Sequence, residues 1–181
     1  MEKNKFEYNR KFYFFIYKIY HYFFSEKFNK KINFQFDASK SRSDLVIKTI
    51  KKKKYTKYLE IGCDQDQLFG KIDIDYKIGV DPEAGGNFRG TSDNFFKQNS
   101  DFFDCIFIDG LHEYHQVIKD IKNSINFLNQ DGVIILHDCL PDSISKQLVP
   151  RSRYSWNGDV WKAIAEVRTW TNFDTCTCLI D

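Results

Sequence analysis

The stretch FFDCIFIDGLHEYHQVIKDIKNSINFLNQDGVIILHDC, residues 102–139, constrains the fold more than any other part of the chain. The apolar run Cys105-Ile106-Phe107-Ile108 stops at Asp109-Gly110-Leu111-His112, and a second run, Gly132-Val133-Ile134-Ile135-Leu136, stops at His137-Asp138. Between them Val117, Ile118, Ile121, Ile125, Phe127 and Leu128 recur at roughly helical spacing, so the segment reads strand, helix, strand. Continuous apolar runs indicate strands buried on both faces, and a right-handed crossover places both carboxyl ends on one edge of a parallel sheet. Asp109, His112, His137 and Asp138 are therefore expected to converge where open α/β sheets bind ligands.

The flanking sequence continues the alternation. Ser43-Asp44 predicts the N-cap of a helix that ends in the lysine run 51–54, with cations suited to a helix C-terminus. Residues 58–62 read as a first strand and turn, 66–72 as a short helix and 76–81 as a second strand. The glycine-rich loop 82–91 leaves room for a short third strand, and Ser92 to Phe96 reads as a capped helical turn. A polar stretch, 140–158, is followed by a helix from Asp159 to Trp170 and a last strand at 175–180. The expected fold is a doubly wound, Rossmann-like α/β domain over residues 42–181, with residues 1–41 as a helical extension.

Gly62 follows the first strand, and Asp81 ends the second at the spacing with which a carboxylate grips ribose hydroxyls in nucleotide-binding βαβ units. The turn Glu60-Ile-Gly-Cys-Asp-Gln-Asp66 lacks the further glycines of the dinucleotide fingerprint, and Asp64 and Asp66 would repel a pyrophosphate. A sulfonium nucleoside, being positively charged, needs no phosphate cradle. S-adenosylmethionine fits this turn and a nicotinamide dinucleotide does not.

The charge is divided unevenly: residues 1–54 hold 15 Lys/Arg against 5 Asp/Glu, and the remainder 12 against 20. Of 31 aromatic residues, 14 lie within the first 36. The segment 11–24 is too short and too interrupted by Lys18 and His21 to span a membrane, and no small-residue cleavage site follows it. As a helix it gathers Phe12, Ile16, Ile19 and Phe23 on one face. With Lys27, Lys30 and Lys31 just beyond, it suits either an anionic membrane surface or a protein partner through residues 11–31, or packing on its own domain. Nucleic acid is disfavoured because the remaining domain is acidic. Five cysteines with no metal-type spacing indicate a reducing cytosol, with the chain in the cytoplasm or at the inner face of the membrane. Self-association is a further expectation.

The runs EIGCDQDQLF, GVDP, TSDNFFKQN, IDGLHEY, DGVIILHDC and WNGDVWKAI together resemble the class I S-adenosylmethionine-dependent methyltransferases, in particular the small bacterial type grouped as methyltransferase domain family 24, over about residues 42–181. The resemblance implies a glycan-associated O-methyltransferase acting on a sugar or other small-molecule hydroxyl. It implies Glu60 and Gly62 at the methionine end of S-adenosylmethionine, Asp81 and Asp109 also in the cofactor site, and Ser92 and Asp93 near the adenine. It further implies Asp109, His137 and Asp138 around a divalent cation, Mg²⁺ or Mn²⁺, with His112 as general base beside Asp109. The pair His137-Asp138 departs from the two acids of the metal-dependent relatives. Relatives also continue into another strand, so the C-terminal strand pair is expected to be truncated at Asp181. The rival reading is a non-catalytic module of the same fold acting through its N-terminal helix. Trp156 and Trp161 are expected either to form a sugar-stacking lid or to anchor the last helix.

Overall fold

The structure is a computed structural model that describes residues 2–27 and 31–180, with the side chains of residues 2–8 left aside. Its centre is a five-stranded, fully parallel sheet, in the order β3-β2-β1-β4-β5. The strands are β1 (Lys57–Ile61), β2 (Tyr76–Asp81), β3 (Phe88–Arg89), β4 (Phe103–Ile108) and β5 (Leu128–Leu136). This is the doubly wound, Rossmann-like arrangement of the class I methyltransferase fold. The helices are α1 (Glu2–Phe24), α2 (Arg42–Lys53), α3 (Ser92–Gln98), α4 (Tyr114–Asn126), α5 (Ile144–Gln147) and α6 (Val160–Val167).

The period-two direction of strand side chains explains why the central strands are apolar throughout. On one face of the sheet, Leu59 and Ile61 of β1 and Phe103, Ile106 and Ile108 of β4 pack with Phe95 of α3, Val117, Ile118 and Ile121 of α4, and Val160 and Ala163 of α6. On the other, Tyr58, Cys105 and Phe107 pack with Val46 and Ile50 of α2 and with Leu68, Phe69 and Ile72. Each fully buried Phe or Leu in these layers contributes about 1.5–3 kcal/mol of transfer free energy.

Several boundaries differ from expectation. The N-cap of α2 is Ser41, whose hydroxyl accepts from the Asp44 amide while the Asp44 carboxylate accepts from the Ser41 amide, a complete capping box that is satisfied two residues before the expected Ser43. The C-cap Lys54 takes the left-handed conformation. Thr91, one residue before Ser92, caps α3. Of the helix expected at 66–72, only a 3-10 turn at Phe69–Lys71 forms. Phe127 and Leu128, expected on the helix, instead cap α4 and open β5. The helix expected from Asp159 to Trp170 is α6, which stops at Val167; Asp159 instead accepts from the Tyr114 amide at 2.6 Å and so ties the start of α4. The strand expected at 175–180 does not form: Ile180 makes an isolated parallel bridge to Asp37, and among the described residues the sheet ends at β5. The alternating Thr175–Leu179 residues lie exposed rather than against the core, so no apolar face holds them in the sheet.

The amphipathic pattern of α1 resolves in two directions at once. Phe14 and His21 are buried, with Arg10 and Tyr17 half-buried, and this face lies against the segment 150–154. The His21 ring nitrogen Nε2 bonds Pro150 O at 2.7 Å, and the Phe14 ring meets Tyr154 edge-on at 5.2 Å. Phe12, Ile16, Ile19 and Phe23, the face read from the sequence, point outward and are 56%, 40%, 46% and 67% exposed. No described helix is long and apolar enough to cross a membrane.

Candidate functional site

The carboxyl ends of β1, β2, β4 and β5 open into a cleft of about 1580 Å³. Gly62, at φ 87°, turns the chain out of β1 in a conformation that favours glycine, and a Cβ built there would lie 2.3 Å from Asp109 O. The absence of a side chain lets the turn after β1 press against the end of β4, so the Asp81 and Asp109 ends of the cleft are adjacent.

Asp81 lines one end of the cleft. One of its oxygens accepts from the Cys63 and Asp64 amides at 3.0 and 3.1 Å, the other from Glu83 and Ala84, both at 2.8 Å. Burial alone would raise this carboxyl, but the four amide donors outweigh it and hold it low. Asp81 is thus a tie between the β1 turn and the loop after β2 as well as a cleft residue, a role that spacing alone could not reveal. Asp66 likewise accepts from the Gly86 amide at 2.7 Å and braces the same loop, while Asp64 faces the cleft. Glu60 is buried, its carboxylate receiving the Tyr58 hydroxyl at 2.6 Å, and burial pushes it up to about 7.

Ser92 and Asp93, at the start of α3, line the cleft. Asp93 pairs with Lys119 at 2.6 Å, and Gln116 donates to Ser92 Oγ at 3.2 Å. They bring in a residue that sequence reasoning missed. Asp120, fully buried on α4, accepts from Gln116 at 3.0 Å, also lines the cleft, and is pushed up to about 6 by burial. In the sequence it is one of three Asp/Glu/Lys residues in a short polar interval of the helix, and only the α3–α4 packing distinguishes it.

At the other end, the four residues expected to converge do so. Asp109 Oδ1 lies 3.2 Å from His112 Nε2 and 3.1 Å from His137 Nδ1. Asp138 Oδ2 lies 3.1 Å from His112 Nδ1, and its Oδ1 accepts from Asn157 at 2.7 Å. Burial opposes charge at Asp109, His112 and His137, but the pairing wins: Asp109 is held well below the usual carboxylate range, His112 is raised, and His137 rises to about 9. Asp138 sits at φ 55°, a conformation a non-glycine residue adopts at a cost, and it is held there by the surrounding contacts.

The structure adds Arg42 at the start of α2, absent from the sequence reading. Its guanidinium lies 3.5 Å from Asp109 Oδ2 and 3.4 and 3.3 Å from the two His137 ring nitrogens. Near-equal distances to both nitrogens put it over the imidazole rather than at a lone pair, and the Asp109 and Asp138 carboxylates, not Arg42, favour the charged form of His137. Trp156 stacks on His112 at 5.6 Å and 15°, and its indole N–H is bound by Leu148 O at 2.6 Å. Trp161 is part-exposed and lies outside the cleft, so only one of the two expected lid tryptophans reaches the site. Gly158 makes this approach possible, because a Cβ there would lie 1.7 Å from His112 O. His115 is exposed, and the Cys139 thiol, pushed up to about 12 by burial, is not poised as a nucleophile.

One donor atom each from Asp109, His137 and Asp138 lies within 4.8 Å of the others, close enough to surround a cation. Two carboxylates and an imidazole suit Mn²⁺ or a later metal better than Mg²⁺, and binding would require His137 to give up its proton. The donor set therefore fits a metal, with Arg42 and the histidine protons as its competitors.

Neither the curated proteins nor the solved structures give a match to this chain. Residues 80–139, from the end of β2 through Asp109, His112, His137 and Asp138, match the family described as methyltransferase domain, of the type numbered 24. That match spans about a third of the chain and supports a methyltransferase.

Proposed function

We propose that the protein is an S-adenosylmethionine-dependent O-methyltransferase acting on a sugar or glycan-related hydroxyl. The observation that carries this reading is the placement of Asp109, His112, His137 and Asp138 in one cleft with the Gly62 turn and Asp81, so that an acceptor oxygen and a sulfonium methyl would meet beside an imidazole. S-adenosylmethionine supplies the electrophilic methyl group; an O–CH₃ bond forms as the S–CH₃ bond breaks. Glu60, Gly62, Asp81, Ser92 and Asp93 bind and orient the nucleoside. A hydroxyl is a weak nucleophile at neutral pH, so His112, when neutral and with one ring nitrogen turned from its carboxylate to the acceptor, takes the proton there while the other carboxylate holds the resulting imidazolium. A divalent cation bound by Asp109, His137 and Asp138 would polarise the acceptor oxygen.

The test is transfer of labelled methyl from S-adenosylmethionine to a panel of sugars and sugar derivatives. His112→Ala is expected to slow transfer by about 10²–10⁴-fold, the usual contribution of a positioned base. Excess chelator is expected to abolish transfer while S-adenosylmethionine stays bound. Full turnover in chelator removes the metal, and an unchanged rate in His112→Ala removes the base.

The outward face of α1 supports a second reading: this helix rests on an anionic bilayer surface. Phe12, Ile16, Ile19 and Phe23 form an apolar stripe with no described partner, and the exposed Lys11 and Lys18 lie along its flank, where they would reach lipid phosphates.

A further inference from the structure

The cleft wall built by α1 and the segment 150–157 carries two cations, Arg10 and Arg151, for which no ion pair forms among the described residues. The Arg10 guanidinium lies 5.7 Å from the Phe14 ring centroid and 5.7 Å from that of Tyr154. The Arg151 guanidinium lies 5.9 Å from the same Phe14 ring and 5.3 Å from Trp156. Arg151 donates to the carbonyls of Arg153 and Tyr154, and neither arginine has a carboxylate within ion-pair distance among the described residues. The remaining cations of the cleft are already paired: Lys146 with Asp142 at 3.0 Å and Arg42 with Asp109 at 3.5 Å. Asp109 and Asp138 are likewise answered by His112, His137 and Arg42, so they do not call for Arg10 and Arg151 as counter-ions. Burial and the like charge of Arg10 lower the proton affinity of Arg151 and outweigh the pull of the Asp138 carboxylate, the direction expected where two cations are held close together.

We propose that Arg10 and Arg151 bind an anionic group, phosphate or carboxylate, of the methyl acceptor. The placement is specific, because Trp156 stacks on His112 on one hand and under the Arg151 guanidinium on the other. An anion on the arginines therefore fixes an acceptor whose hydroxyl reaches His112 a short molecule away, and the Phe14, Tyr154 and Trp156 rings give a sugar a surface to lie on. The inference rests on the methyl-transfer reading only in assigning the anion to the acceptor. It also gives α1 a part in substrate choice, since Arg10 and Phe14 both belong to that helix.

The experiment is calorimetric titration of the full chain, saturated with S-adenosylhomocysteine, with glucose 6-phosphate, glucuronate and glucose. Binding of the phosphate, the carboxylate or both, with none of glucose, is expected, and which of the two binds identifies the anion. Arg10→Gln, which removes no side-chain hydrogen bond among the described residues, should weaken that binding by about tenfold or more, the worth of a charge-assisted contact, and Arg151→Gln should do the same. The affinity for S-adenosylhomocysteine should not move. Equal binding of all three sugars, or anion binding unchanged in both variants, overturns the proposal. So does a parallel loss of S-adenosylhomocysteine affinity, which would assign the arginines to the carboxylate of the methyl donor. If S-adenosylhomocysteine itself fails to bind, the methyl-transfer reading falls, while the anion titrations read the arginine pair without it.

Discussion

Asp109 and Asp138 leave different strands, yet each faces the same two imidazoles, and this exchange fixes the charge state of the whole cluster. All four side chains were legible in the sequence because each follows directly on an apolar run, where the chain must emerge from the sheet at one edge. Arg42 and Asp120 were not legible, since each joins the cleft by packing between elements distant in sequence. Asp120 carries a pH signature of its own. Its folded value of about 6 lies above the ordinary 3.8, so the folded state holds the proton more tightly and stability falls as pH rises between those values, by on the order of 2–3 kcal/mol in full. Asp120→Asn keeps the acceptor for Gln116 and removes the charge. Thermal unfolding should therefore show the variant gaining on the parent between pH 4 and pH 7, and a difference independent of pH would contradict the burial of a charged Asp120.

At the level of elements, the strands were read nearly to the residue, because two-sided burial leaves continuous apolar runs, whereas the caps and the chain end were read less well. Ser41 beats Ser43 as N-cap because only Ser41 stands three residues before Asp44, the spacing that closes a capping box. Residues 175–180 carry a strand-like composition but find no strand edge to pair with. The helix α1 was expected to have one apolar face, and it has two, one against residues 150–154 and one outward. Its outward face makes a direct prediction: the full chain should sediment with phosphatidylglycerol vesicles and not with phosphatidylcholine vesicles. Ile16→Asp with Ile19→Asp should abolish this while leaving the unfolding temperature unchanged, because neither side chain is packed. Binding to neither vesicle would indicate that a protein covers the stripe instead.

Across the whole molecule, a parallel sheet gathers the Gly62 turn with Asp81, a carboxylate–imidazole cluster and an arginine-bearing wall around one cleft. The parallel, doubly wound arrangement and the convergence of the carboxylate–imidazole cluster could be read from strand ends and their spacing. The wall could not, because it requires α1 to lie on a segment well over a hundred residues away. Binding of a methyl donor beside Asp81 is the premise of the proposed transfer. Calorimetric titration of S-adenosylmethionine into the full chain tests this most directly, with Asp81→Ala beside it. One site of micromolar affinity, unchanged by chelator and weakened about tenfold or more in Asp81→Ala with a loss of unfolding temperature from the four freed amides, is the predicted result. No heat of binding at millimolar S-adenosylmethionine, from a chain whose unfolding temperature shows it to be folded, would contradict it.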